Sequence, residues 1–116
     1  VRDVVEEFPG EVSAEPVART EPTVTDPADP FVESVARWAG RIQGRDDGGA
    51  LGCAYGFTDC RFYRMAGVPS VFYGPRPNNS GSQNEYITEA EFAETMAVHA
   101  LTAVDFMTGG AVSDRI

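Results

Sequence analysis

Two short stretches hold the side chains of this chain that could do chemistry. Gly56-Phe57-Thr58-Asp59-Cys60-Arg61 sets a hydroxyl, a carboxylate and a guanidinium close together in sequence. Arg61 is suited to gripping a substrate carboxylate, because its planar fork matches two carboxylate oxygens at once. The polar run from Gly74 to Tyr86 is the second stretch, and long polar loops often carry binding residues. Within it, Asn84 and Glu85 could orient a ligand or a neighbouring side chain. Plainer readings stand beside these. Thr58 or Asp59 would also cap a helix, with Arg61 paired to Asp59. Asn84 would also serve as turn chemistry, and Glu85 as a first-turn helix acid.

The remaining reactive side chains are sparse. His99 is the single histidine, placed mid-helix beside an apolar stripe, and reads as a packed or half-exposed helix residue ahead of a ligand. No second His, Cys pair or carboxylate cluster stands around it at metal-ligand spacing. Cys53 and Cys60 are too few for a disulfide scaffold, and a buried free thiol pair is favoured over a disulfide. The chain has no nucleophile elbow, no Walker loop and no GxGxxG after a strand.

The elements that would position the two stretches can be read in order. Val4, Val5 and Phe8 suit a helix end stopped by Pro9-Gly10. The segment from Glu11 to Thr20 alternates weakly, as an edge strand interrupted by proline would. Asp29 as N-cap and Pro30 at the first helical position begin an amphipathic helix. Phe31, Val35, Trp38, Ala39 and Ile42 recur at helical spacing to about Gln43, with Gly44 as the stop. The apolar run from Ala50 to Tyr55 is a strand candidate. Cys60 to Met65 predicts a short helix ended by Gly67 and Pro69, and Ser70 to Tyr73 a buried strand. Thr88 with Glu91 makes a capping box for a last helix, Glu89 to Met107. The apolar face of that helix is Phe92, Met96, Ala100, Ala103 and Phe106 or Met107, expected to pack back on the 56–75 unit. Helix, strand, short helix, strand, helix is an α/β pattern.

Composition bounds the function classes. The 116 residues fit one domain or part of a larger one. Eighteen acidic residues face nine basic ones, all Arg, for a net charge of -9. That balance argues against nucleic acid as a partner and against anionic membrane surfaces. No run approaches the ~18 apolar residues of a membrane span, and no signal peptide is visible. A cytoplasmic location is expected. The first residue is Val, which fits an excised or processed piece.

The order of residues then becomes informative. Gly56-Phe57-Thr58-Asp59-Cys60-Arg61-Phe62, Ala66-Gly67-Val68-Pro69, Val71-Phe72-Tyr73-Gly74-Pro75 and Asn84-Glu85-Tyr86-Ile87 resemble the C-terminal segment of the co-catalytic zinc amidohydrolases. That family includes succinyl-diaminopimelate desuccinylase, acetylornithine deacetylase, aminoacylase, and carboxypeptidase G-like and dipeptidase enzymes. Thr25-Asp26-Pro27-Ala28-Asp29-Pro30-Phe31 is also similar to the family, so the resemblance runs from about Thr20 to Met107.

The resemblance implies a partial three-layer α/β sheet with flanking helices, the second half of a zinc-peptidase-like catalytic domain. Residues 1–18 would be the tail of an inserted lid or dimerisation domain, or a linker. Residues 19–108 would be the C-terminal half of the catalytic domain, and 109–116 a flexible tail. The full-length parent would cleave an amide of an N-acyl amino acid or a small peptide at a two-metal zinc site, with a carboxylate as general base. Whether this chain is itself an enzyme stays open: the parent would be one, whereas the isolated piece would be inactive and would not hold zinc tightly. Thr58, Asp59, Arg61, Asn84 and Glu85 match the family motifs and would bind substrate, Arg61 at its carboxylate. Many members have a metal-ligating His three residues before the Asn of Asn-Glu-Tyr; here that position is Gly81, so the ligand is not carried over. The parent would form a homodimer, or the fragment would associate through unpaired strand edges. The alternative is a non-catalytic small-molecule or protein-binding α/β module that has lost the metal site.

Overall fold

Three helices make up the regular structure of residues 15–45, 48, 49, 51, 52 and 56–110, which a computed structural model describes. They are α1 (Pro30–Ile42), α2 (Cys60–Met65) and α3 (Glu89–Met107). All three sit where glycine, proline and capping residues predict them. Asp29 accepts a hydrogen bond from the Phe31 amide at 2.9 Å, satisfying one of the orphan donors at the start of α1. Each helix closes with a left-handed glycine just past its end, Gly44, Gly67 and Gly109. The next amide then turns back onto the last turn: Arg45 to the Gly40 carbonyl, Val68 to Tyr63, Gly110 to Asp105. This closure uses carbonyls that the helices would otherwise leave unpaired.

At the start of α3 the Thr88 hydroxyl accepts from the Glu91 amide, and the Glu91 carboxylate accepts from the Thr88 amide at 2.8 Å. The Thr88 backbone amide, then its hydroxyl, hold the Glu91 carboxyl below the usual carboxylate range. A depressed folded pKa gives stability that is present above the unfolded carboxylate pKa and lost as pH falls through the folded value. Acidification below pH ~4.3 is therefore expected to fray the first turn of α3, seen as faster amide exchange at Glu89 to Phe92. Glu91→Gln should remove that pH dependence.

The core lies between α1 and α3. Trp38 and Val98 are 1% and 0% exposed, with Val35 and Ala39 buried around them. Phe31, Ile42, Val71, Tyr73 and Leu101 pack on this cluster. A buried polar knot joins the same two helices. The Asp105 carboxylate accepts from the Ser34 hydroxyl at 2.8 Å, from the Trp38 indole at 3.2 Å, and from the Arg37 guanidinium, with which it forms an ion pair. The chain also folds back tightly over α1. The Gly49 amide donates to the Ala36 carbonyl at 2.7 Å, and a Cβ on Gly49 would stand 2.8 Å from that oxygen. A side chain at Gly40 would meet the Gly48 backbone, so the crossing requires glycine on both surfaces.

The expected three-layer α/β sheet is not formed. Among the described residues there is no strand, and the sole pairing is an isolated antiparallel bridge between Asn78 and Tyr86. Ser70 to Tyr73, expected as a buried strand, is coil with no strand partner among the described residues, and Phe72 is exposed. The reason lies in where its backbone bonds go. The Ser70 amide donates to Thr25 Oγ1, the Ser70 carbonyl accepts from Arg64 and Thr25, and the Val71 carbonyl accepts from Cys60 Sγ. Side chains thus take the groups that a neighbouring strand would need. Of the Ala50 to Tyr55 candidate, Leu51 and Gly52 are exposed coil and the other residues lie outside the described set. Residues 15–20 are exposed coil, not an edge strand; the proposed helix end at Val4 to Phe8, Cys53 and the tail beyond Gly110 also lie outside it.

The apolar face of α3 is the second correction. Phe92, Met96, Ala100, Ala103, Phe106 and Met107 are exposed, and α3 instead buries Val98, Thr102 and Asp105 against α1. The core is correspondingly thin. The radius of gyration is 19.4 Å, against about 13 Å for a compact domain of 100 residues.

Candidate functional site

The N-terminal end of α2 forms one wall of a cavity of about 880 Å³. Thr58, Arg61 and Arg64 line it on this side, with Thr20 to Thr25 and the α1 residues Val35 and Ala39 opposite. The two arginines are one helical turn apart and are used differently. Arg64 is fully engaged: it donates to the Thr25 hydroxyl at 3.2 Å, to the Ser70 carbonyl at 3.0 and 2.9 Å, and to the Thr23 carbonyl at 3.1 Å. It binds residues 23–25 and 70 to α2, with the Ser70 hydroxyl donating to the Cys60 carbonyl at 3.0 Å.

Arg61 has no such engagement. Its guanidinium carbon stands 4.5 Å from the Phe62 ring centroid and 5.3 Å from that of Phe57. Both distances are within cation–π range. Among the described residues no carboxylate forms an ion pair with it. Asp59, the N-cap residue by position, makes no side-chain capping bond.

Of the five residues singled out in the sequence, Thr58 and Arg61 share the cavity wall. Asp59 is exposed beside it, and Asn84 and Glu85 are exposed on the separate 78–86 loop. That loop is closed by reciprocal backbone bonds between Asn78 and Tyr86 at 2.9 and 3.2 Å. Inside it the Glu85 carboxylate accepts from the Gly81 amide at 3.0 Å, and Gly81 has φ +78. A histidine at this position would start from a left-handed backbone that L side chains rarely adopt.

His99 is exposed on α3. Its Nε2 lies 3.3 Å from the Tyr73 carbonyl, and its ring meets the Tyr73 ring edge-on at 5.8 Å. Burial, then the charge of Glu94, raises the Tyr73 phenol above its ordinary value. Among the described residues no group of three or more His, Cys, Asp or Glu could hold a metal ion. No described helix is long and apolar enough to cross a membrane.

Sequence reasoning missed Arg64 and the Asp105 knot. Asp105 carried a signal, as the single charge in the otherwise uncharged run from Val98 to Met107 bar His99. Trp38 carried another, since a buried indole N–H needs an acceptor.

A family model described as peptidase family M20/M25/M40 matches residues 4–105. Comparison with curated proteins and with solved structures gives no match.

Proposed function

Because the chain belongs to peptidase family M20/M25/M40, we propose that it supplies the substrate-holding part of an amide hydrolase. The substrate class is an N-acyl amino acid or small peptide, held by its free carboxylate, in a cytoplasmic protein of which this chain is the C-terminal portion. The observation that carries the reading is Arg61. In a chain of net charge -9, one guanidinium lies on a cavity wall with no acidic partner among the described residues and with its plane steadied by two aromatic rings. Such a fork binds a carboxylate through two parallel hydrogen bonds, and the Thr58 hydroxyl on the same wall offers a further donor.

Peptidases of this family are generally metal-dependent. The described residues do not fit a metal centre, and no chemical step is placed on them. Their part is to bind and orient one end of the substrate, which converts binding energy into alignment of the scissile amide. Asp59, Asn84 and Glu85 belong to the proposal only as further substrate contacts implied by the family motifs.

Arg61→Ala in the full-length protein is expected to raise KM for carboxylate-bearing substrates about 10- to 100-fold, as loss of a charged hydrogen-bonded pair would. The melting temperature should change little. An unchanged KM with a lowered melting temperature would assign Arg61 to structure. The isolated chain with added zinc should not turn over N-acyl amino acids, and robust turnover would refute the division of labour. A second reading, a binding module without catalysis, is favoured by Gly81, which stands where many family members have a metal-ligating His. It is distinguished by an N-acetyl amino acid that binds the full-length protein, depends on Arg61, and is never cleaved.

A further inference from the structure

Part of the cavity wall that Arg61 shares is built without regular structure. Residues 20–25 line the cavity but belong to no helix or strand. Among the described residues no backbone-to-backbone hydrogen bond reaches them. A coil segment without backbone partners opens at little cost unless side chains hold it. Two side chains hold this one, and they do so at a single point. The Thr25 hydroxyl donates to the Ser70 carbonyl at 2.6 Å, and accepts from the Ser70 amide at 3.0 Å and from Arg64 Nε at 3.2 Å. A hydroxyl has one donor and two acceptor sites, so Thr25 is saturated. Arg64 adds its bonds to the Thr23 and Ser70 carbonyls. Thr23 and Thr25 are half-buried by these ties, whereas Val24 between them is 75% exposed and lines the cavity.

We infer that Thr25 and Arg64 are positioning residues for the carboxylate site. By tying residues 23–25 to Ser70 they fix the 20–25 wall relative to α2, the helix that carries Arg61. A molecule held at Arg61 by its carboxylate then packs its remaining, apolar part on Pro22 and Val24. The wall suits an uncharged group. Its acid, Glu21, is ion-paired with Arg19 at 2.7 Å, and Val32, Val35 and Leu51 continue the apolar lining. The inference rests on the reading of Arg61 as the carboxylate grip.

Calorimetric titration of the full-length protein with two probes tests it. Acetate, read by competition, offers a carboxylate alone. The ketomethylene analogue of N-acetylleucine adds an apolar side chain and has no amide to cleave. Thr25→Val keeps the shape of the side chain but none of its three bonds. It should weaken the analogue about 10-fold and leave acetate within about twofold. Thr25→Ser, which keeps the hydroxyl, should bind both probes as the unmodified protein does. A purely structural role would move neither affinity, or would weaken both alike by lowering the folded fraction. Either result overturns the inference, as does a Thr25→Ser protein that binds the analogue no better than Thr25→Val. If Arg61→Ala weakens both probes while Thr25→Val weakens neither, the carboxylate grip stands and the positioning role alone falls. If neither probe binds the unmodified protein, or Arg61→Ala weakens neither, the grip itself falls and the inference with it.

Discussion

Asp105→Ala is expected to lower the stability of the chain by about 3 kcal/mol, measured by urea unfolding followed at Trp38 fluorescence. Asp105 is 3% exposed, and its carboxylate accepts from Ser34, Trp38 and Arg37. Removing it leaves the buried hydroxyl of Ser34 and the indole N–H of Trp38 without their carboxylate acceptor. Arg37 moderates the loss, because its side chain is 37% exposed and can turn to solvent. A domain holds only ~5–15 kcal/mol of net stability, so this one carboxylate accounts for a large share. Asp105→Asn keeps an acceptor but not the charge, and should lose about half as much. A loss under ~0.5 kcal/mol for Asp105→Ala would place the adhesion of α1 to α3 in the apolar cluster alone.

Arg64→Met should have the second largest effect, about 2 kcal/mol, and a more local one. The aliphatic replacement keeps the stem that packs against the cavity wall but loses every bond to Thr23, Thr25 and Ser70. Residues 23–25 then keep only the Thr25 hydroxyl on Ser70. Limited proteolysis should accordingly cut the segment between Pro22 and Asp26 in the variant well before it cuts the parent chain. Arg64→Lys should not rescue it, since one ammonium cannot reach three acceptors set in a planar fork. Equal proteolysis of the two chains would show that residues 23–25 are held by packing. Arg61 and Arg64 line the same cavity, so Arg64→Met should also weaken carboxylate binding, whereas Arg61→Ala should leave the proteolysis pattern unchanged.

The helices were legible in the sequence because their boundaries are local chemistry. Asp29-Pro30, the Thr88–Glu91 box and the glycines at 44, 67 and 109 settle start and stop within a few bonds, whatever the rest of the chain does. The stripe of Phe31, Val35, Trp38, Ala39 and Ile42 likewise gave the inner face of α1. The sheet was misjudged because a run such as Ser70 to Tyr73 shows only that the backbone is extended, not what it pairs with. Arg64 and Thr25, distant in sequence, supply partners of a kind that alternation does not encode. The face of α3 was misjudged because both of its sides are apolar. Hydrophobicity ranked Phe92 and Met96 above Thr102 and Asp105, while the buried knot drew Asp105, and the turn that carries it, inward. At the candidate site, Thr58 and Arg61 were visible as residue types after a turn. That no acid among the described residues pairs with Arg61 could only be seen in three dimensions.

The knot between α1 and α3 also bears on how the chain is made. Ser34 and Asp105 are 71 positions apart, so a molecule whose regular structure is all helix still depends on a long-range closure. Helical proteins usually fold fast because their contacts are local, but here the one packed helix pair among the described residues is separated by the whole stretch from 43 to 88. During synthesis the inner face of α1 is left without Val98, Leu101 and Asp105 until α3 exists. Between the synthesis of α1 and that of α3 this apolar face is incompletely covered, which makes the stretch a natural target for chaperones that bind exposed hydrophobic segments.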